Sequence, residues 1–157
     1  MDPVPKLRAL AQLDVDAIAA YNAAIARVAE PLVREKLEEF RGDHARHVQA
    51  LNALIQRHGG TPVSQRADLK GAAMKGVTAL SSLMGTEAVL LAMLANEEVT
   101  NRAYELVLQF EWSDEARLLI RRHRADEERH ITWIRDAVRH RPWQPQRMGM
   151  SDGEAHA

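Results

Sequence analysis

The chain has 157 residues, a length that suits one domain able to bury a core without covalent staples. It contains no cysteine, which excludes disulfides, thiolate metal sites and a cysteine nucleophile, so any metal must be held by His, Asp or Glu. Lys plus Arg (21) balance Asp plus Glu (22), so charge gives no reason to expect nucleic acid or an anionic membrane as a partner; with no signal-like or membrane-spanning apolar run, a cytoplasmic location is the expectation.

Asp2 is placed to cap a helix opening at Pro3, where a missing amide proton costs nothing. The stripe that follows, Val4, Leu7, Leu10, Asp14, Ala17, Ile18, Tyr21, Ile25 and Val28, advances by threes and fours and keeps to one helical face. Asp14 is either the N-cap of a shorter helix or a polar residue on the core face, and the apolar positions upstream favour the second. Glu30-Pro31 marks a turn. A second stripe then runs through Val33, Leu37, Phe40, His44, His47, Val48, Leu51, Leu54 and Ile55, until Gly59-Gly60-Thr61-Pro62 ends the helix. Residues 67–84 read as a short crossover helix carrying Leu69, Ala73, Val77, Leu80 and Met84; its glycines each cost up to about 1 kcal/mol relative to alanine. A third helix from Thr86 to Phe110 places Leu90, Met93, Leu94, Glu97, Asn101, Tyr104 and Leu108 inward. Ser113 caps a fourth, with Asp114 and Glu115 in its first turn and a stripe of Ala116, Ile120, His123, Glu127, His130, Ile131, Ile134 and Val138, stopped by Pro142. Two short turns and one long crossover between four such stripes predict an all-α antiparallel four-helix bundle over residues 1–141. Residues 142–157 form a tail too poor in apolar content to pack, expected to be mobile.

The stretches Asp43-His44-Ala45-Arg46-His47-Val48 and Asp126-Glu127-Glu128-Arg129-His130-Ile131 share one plan at an offset of 83 positions. The same offset pairs Asp14 with Glu97, Tyr21 with Tyr104, Ile25 with Leu108, Leu37 with Ile120 and Leu51 with Ile134, so the chain contains one half twice. Mid-helix placement puts Asp14, His44, His47, Glu97, Glu127 and His130 in one layer of a bundle about 40 Å long. Unpaired buried carboxylates cost several kcal/mol each, so something positive must compensate. Either the three histidines do so in an inert hydrogen-bonded network, or a divalent metal neutralises the carboxylates and takes lone pairs from neutral imidazoles; the metal satisfies more groups in the same volume. Tyr21 and Tyr104, two turns from Asp14 and Glu97, read either as donors to ligating carboxylates or as plain core aromatics. His123 is either a further ligand or a buried histidine with one partner, while His58, His140 and His156 fall near helix ends or in the tail and are expected to be solvated.

This arrangement, two single carboxylates and two stretches ending in histidine, resembles the di-metal pattern of the ferritin-like superfamily, which includes rubrerythrin and bacterioferritin, over roughly residues 3 to 140. The stretches Gly85-Thr86-Glu87 and Asn96-Glu97-Glu98-x-Thr100-Asn101-Arg102-x-Tyr104 resemble a bacterial branch of it. The resemblance implies that Asp14 stands for the first-helix glutamate, His47 for the second-helix histidine, Glu97 for the third-helix glutamate, and Glu127 with His130 for the last-helix pair. It further implies iron or manganese, with zinc as another option, one or two ions per chain, and ferroxidase-like or peroxidase-like reaction with dioxygen or peroxide. Two departures stand out: His44 replaces a glutamate that bridges two metals, and Asp14 is one methylene shorter than the usual ligand. Three carboxylates against two divalent ions require another anion, or else only one ion binds, so one metal, or two unequally held, is the expectation. A second function class is a non-catalytic bundle used for metal sequestration, stress protection or partner binding, its altered site structural or degenerate. The crossover residues Leu69, Val77 and Leu80 either cover the bundle or pair with a second copy, and on the latter reading a homodimer is expected.

Overall fold

The computed structural model describes residues 1–66, Leu80 and residues 85–145. Asp2 Oδ1 accepts the Val4 amide at 3.0 Å and starts helix α1 (Val4–Ile25). Helix α2 (Pro31–Arg57) opens on a proline and closes before Gly59, whose φ of 76° lies where a side chain would be strained. Helix α3 (Thr86–Val107) follows Gly85, and helix α4 (Asp114–His140) is capped by Ser113 Oγ, which accepts the Ala116 amide at 3.2 Å. Arg141, left-handed at φ 46°, ends α4 by donating its amide to the Ala137 carbonyl at 2.8 Å, directly before Pro142. The described residues contain these four helices and no strand, as the periodicity predicts.

Two boundaries differ from the sequence reading. Helix α1 stops at Ile25, so Val28 is buried from the turn, where Arg34 Nη2 donates to its carbonyl at 2.8 Å. Helix α3 stops at Val107, short of Phe110: its last turn tightens through the Gln109 and Phe110 amides onto Leu106 and Val107, and side chains take up the carbonyls at and after its end, Trp112 Nε1 that of Val107 at 2.7 Å and Arg117 those of Leu108 and Phe110. The crossover helix, with Leu69 and Val77, lies outside the described residues. Leu80, the one part of it described, is buried in a core cluster with Val89 and Leu90. The tail beyond residue 145 lies outside them too, but Trp143 packs half-buried against that same cluster, contrary to the expectation that nothing after Pro142 would pack.

Every neighbouring pair of helices is antiparallel. Tyr21 reaches Glu97 and Tyr104 reaches Asp14, which fixes α1 against α3 head to tail; His47 reaches Asp126 and His130 reaches Asp43, which does the same for α2 and α4. Two apolar clusters fill the ends of the bundle. One holds Val33, Leu37, Phe40, Leu90, Met93 and Ile134, the other Leu7, Leu10, Leu51, Leu54, Ile55 and Ile120. Each fully buried leucine or isoleucine contributes about 1.5–3 kcal/mol of transfer free energy. Alanines at positions 11, 17, 20 and 24 are buried on α1 and let its neighbours approach closely. The layer between the two clusters is polar, and the stability of both ends depends on that layer being satisfied.

Candidate metal centre

All six side chains singled out in the sequence, Asp14 from α1, His44 and His47 from α2, Glu97 from α3, and Glu127 and His130 from α4, meet in this layer, none more than 2% exposed. The i, i+3 spacing of His44 with His47 and of Glu127 with His130 keeps each pair on the inner face of its helix. Asp14 is mid-helix, three turns from the start of α1, so the N-cap reading of this residue is wrong. Ligand atoms come together in two overlapping groups, Asp14, His44, His47 and Glu127, and His44, Glu97, Glu127 and His130, with the atoms of each group within 4.8 Å of one another. Either group could hold a metal ion, and His44 and Glu127 belong to both.

The supports cross between the two halves of the chain. Tyr21 Oη on α1 donates to Glu97 on α3, and Tyr104 Oη on α3 donates to Asp14 Oδ2 on α1 at 2.5 Å, so both tyrosines act as donors to the carboxylates and not as plain aromatics. Two carboxylates that the sequence reading did not assign to the site, Asp43 and Asp126, complete the pattern. His130 Nε2 donates to Asp43 Oδ2 at 2.8 Å and His47 Nε2 donates to Asp126 Oδ2 at 2.9 Å, which turns the Nδ1 atom of each ring inward. Arg129 then spans both aspartates, 2.5 Å from Asp43 Oδ2 and 3.3 Å from Asp126 Oδ1, with a further contact to Glu39 at 3.1 Å. The signal for these aspartates was present, since both stand at the 83-position offset immediately before His44 and Glu127.

The same offset explains His123. It is the counterpart of Phe40, and the two rings do the same work: Phe40 stacks on His130 with centroids 4.2 Å apart, and His123 stacks on His47 at 4.0 Å and 16°. His123 Nδ1 lies 3.2 Å from Tyr104 Oη and belongs to neither ligand group. Burial, helped by the charge on His47, lowers its pKa to about 3, so the ring is neutral. His58 and His140 are exposed, and His156 lies outside the described residues.

The two groups differ in how well they are satisfied. Asp14 Oδ1 accepts from His44 Nδ1 at 2.6 Å and lies 3.2 Å from His47 Nδ1; against the burial that would raise it, these contacts lower Asp14 to about 2. His44 Nε2 donates to Glu97 Oε1 at 3.0 Å. Both His44 nitrogens thus face carboxylate oxygens. Although burial opposes it, the nearby Glu127, Glu97 and Asp14 hold its pKa well above the usual histidine value. His47 is raised to about 9 against burial, by Asp14, Glu127 and Asp126. In the other group, neither oxygen of Glu127 has a hydrogen-bond partner among the described residues, nor does Glu97 Oε2 or His130 Nδ1, and all four atoms are shut away from solvent. Burial, reinforced by Glu97 against the pull of His44, pushes Glu127 up to about 9, while burial lowers His130, leaving a bare lone pair on its inward nitrogen. Orphaned buried atoms of this kind cost about 1–3 kcal/mol each unless something binds them. Two carboxylates and an imidazole lone pair are a donor set for a divalent cation, so the residues fit a metal.

No helix among the described residues is long and apolar enough to cross a membrane. No curated protein sequence and no solved structure matches the chain. A family model described as a domain of unknown function (DUF2383) matches residues 2–109, a span that takes in Asp14, Tyr21, Asp43, His44, His47, Glu97 and Tyr104 and stops before α4. On that match the chain belongs to the DUF2383 family.

Proposed function

We propose that this chain is a ferritin-like metalloprotein whose buried carboxylate and histidine layer binds iron or manganese and turns over dioxygen or peroxide. The observation that carries the reading is that four orphaned ligand atoms, Glu97 Oε2, both oxygens of Glu127 and His130 Nδ1, all belong to the group of His44, Glu97, Glu127 and His130, whereas in the other group only the shared Glu127 is orphaned. The first ion binds there. When bound, such a metal supplies Lewis acidity and one-electron chemistry toward small oxygen species. The chain's own residues hold and orient it: Tyr21 fixes Glu97, Asp43 fixes the His130 ring, and the apolar clusters above and below exclude water. His44, His47 and Glu127 carry protons that a metal must displace, so affinity rises with pH.

A second reading, a structural site without turnover, is favoured by Asp14, whose two oxygens are already satisfied by His44 and Tyr104. Stripped protein titrated anaerobically with ferrous iron, manganese or zinc tests for the metal. At 100 times the dissociation constant the fold gains about 2.7 kcal/mol, seen as a rise in Tm. Oxygen uptake on exposing the ferrous form to air separates turnover from a structural role, and a Tm unmoved by all three metals refutes both readings.

A further inference from the structure

Resting on the metal reading above, we infer that His44 is a bridging ligand, its Nδ1 binding one metal ion and its Nε2 a second. The sequence alone marks His44 as the loss of a bridging glutamate and leads to the expectation of one metal, or two unequally held. In the structure its two nitrogens point in different directions, each into a different ligand group. Nδ1 lies 2.6 Å from Asp14 Oδ1 and 3.5 Å from Glu127 Oε1, in the group completed by His47; Nε2 lies 3.0 Å from Glu97 Oε1, in the group completed by His130. His47 and His130 are built differently. Each spends its outer nitrogen on an aspartate and offers only Nδ1 to the interior. His44 has no such outer partner among the described residues, because both its nitrogens face inward and both are needed there.

The bridge also resolves the charge deficit of the site. A ring that ligates through both nitrogens has given up both N–H protons to the solvent and carries one negative charge. With Asp14, Glu97 and Glu127 ionised, the layer then holds four negative charges against the four positive charges of two divalent ions, and no hydroxide or outside anion is required to balance them. Glu127, shared by both groups, is the second bridge, so one histidine and one glutamate hold the pair where two bridging carboxylates would otherwise stand. Binding is stepwise. The group in which Glu97, Glu127 and His130 all carry orphaned atoms fills first, and the second ion enters as it displaces the hydrogen bonds between His44, His47 and Asp14.

The test uses the full chain labelled with 15N-histidine and titrated with zinc, a diamagnetic ion that accepts both nitrogen and oxygen ligands. Mass spectrometry under native conditions should count two zinc ions per chain, and NMR should show both His44 nitrogens metal-bound with no ring N–H, while His47 and His130 each keep one. His44→Gln, which cannot bridge, should hold one zinc, and His44→Glu, which can, should hold two. Two zinc ions with a surviving His44 N–H, or a single ion in the native chain, overturns the bridge and leaves the metal site standing. No binding of zinc, manganese or ferrous iron by the native chain overturns both.

Discussion

Replacing Glu127 by glutamine separates the cost of this residue to the fold from its value to the metal. Glu127 is fully buried, without a hydrogen-bond partner among the described residues, and pushed from 4.5 to about 9 by burial and by Glu97. Between those two values the folded chain keeps a proton that the unfolded chain releases, so the metal-free fold loses stability as pH rises across the window. At pH 7, some 2.5 units above the ordinary glutamate value, the loss is about 3 kcal/mol at 1.36 kcal/mol per unit. Glutamine has the same shape and does not titrate. Glu127→Gln should therefore make stripped protein more stable than the native chain by about that amount at pH 7, with the difference shrinking toward zero near pH 4.5. It should also abolish tight metal binding, since it removes an anionic ligand common to both groups. Urea denaturation of the two stripped proteins at pH 5 and pH 7, read by the midpoint at constant slope, measures it. A Glu127→Gln chain less stable than the native one at pH 7 would refute the protonation argument, and one that still binds metal tightly would refute the assignment of Glu127 as a ligand.

The remaining predictions concern pH, the outer aspartates and one turn. His47, raised from 6.5 to about 9, contributes stability that is fully present below pH 6.5 and lost as pH rises through 9, so calorimetry of stripped protein should show Tm falling over that window; a flat profile contradicts the charged His47. Asp14, lowered from 3.8 to about 2, acts at the other end, its contribution present above pH 3.8 and lost on acidification toward 2. Asp43→Asn and Asp126→Asn should each weaken metal binding about 10-fold to 100-fold in competition titrations, while Glu128→Gln, exposed on α4 two residues from Asp126, should not; equal effects from all three would point to bulk charge. A Cβ at Gly60 would lie 2.6 Å from Val4 Cγ1 and 2.9 Å from Ile55 Cγ2, so Gly60→Ala should cost about 1–3 kcal/mol in urea unfolding, and a neutral result would mean that the Val4 contact yields.

The sequence carried the bundle and the six inner residues because both rest on periodicity: the stripes of α1 to α4 mark their inward faces, and the 83-position offset marks which polar interruptions belong together. Asp43 and Asp126 obeyed the same offset, yet helical spacing put them beside the inner stripe, not on it, and only the packing of α2 against α4 brings each to the histidine of the opposite half. Phe40 and His123 are hard to recognise as a pair because one is apolar and the other titratable; their shared role as flat rings, one stacked on His130 and the other on His47, shows in three dimensions only. The ends of α1 and α3 are not legible in the periodicity because an apolar residue after a helix, such as Val28 or Leu108, continues the stripe, while in the structure Arg34 and Arg117 take up the carbonyls of the turns that follow.

Because each half's tyrosine and histidine find their partners in the other half, over separations of 76 to 90 residues, the first helical hairpin cannot finish its own interior. Alone, it would leave the Tyr21 hydroxyl without Glu97 and Asp43 Oδ2 without His130 and Arg129, although Arg46 of the same helix would still reach Asp43 Oδ1. Two identical hairpins related by a two-fold axis would satisfy both, which is the arrangement a fused duplication inherits from a symmetric pair. Docking of the hairpins must therefore precede completion of the polar layer, and partial opening of either hairpin would disassemble both candidate ligand groups together.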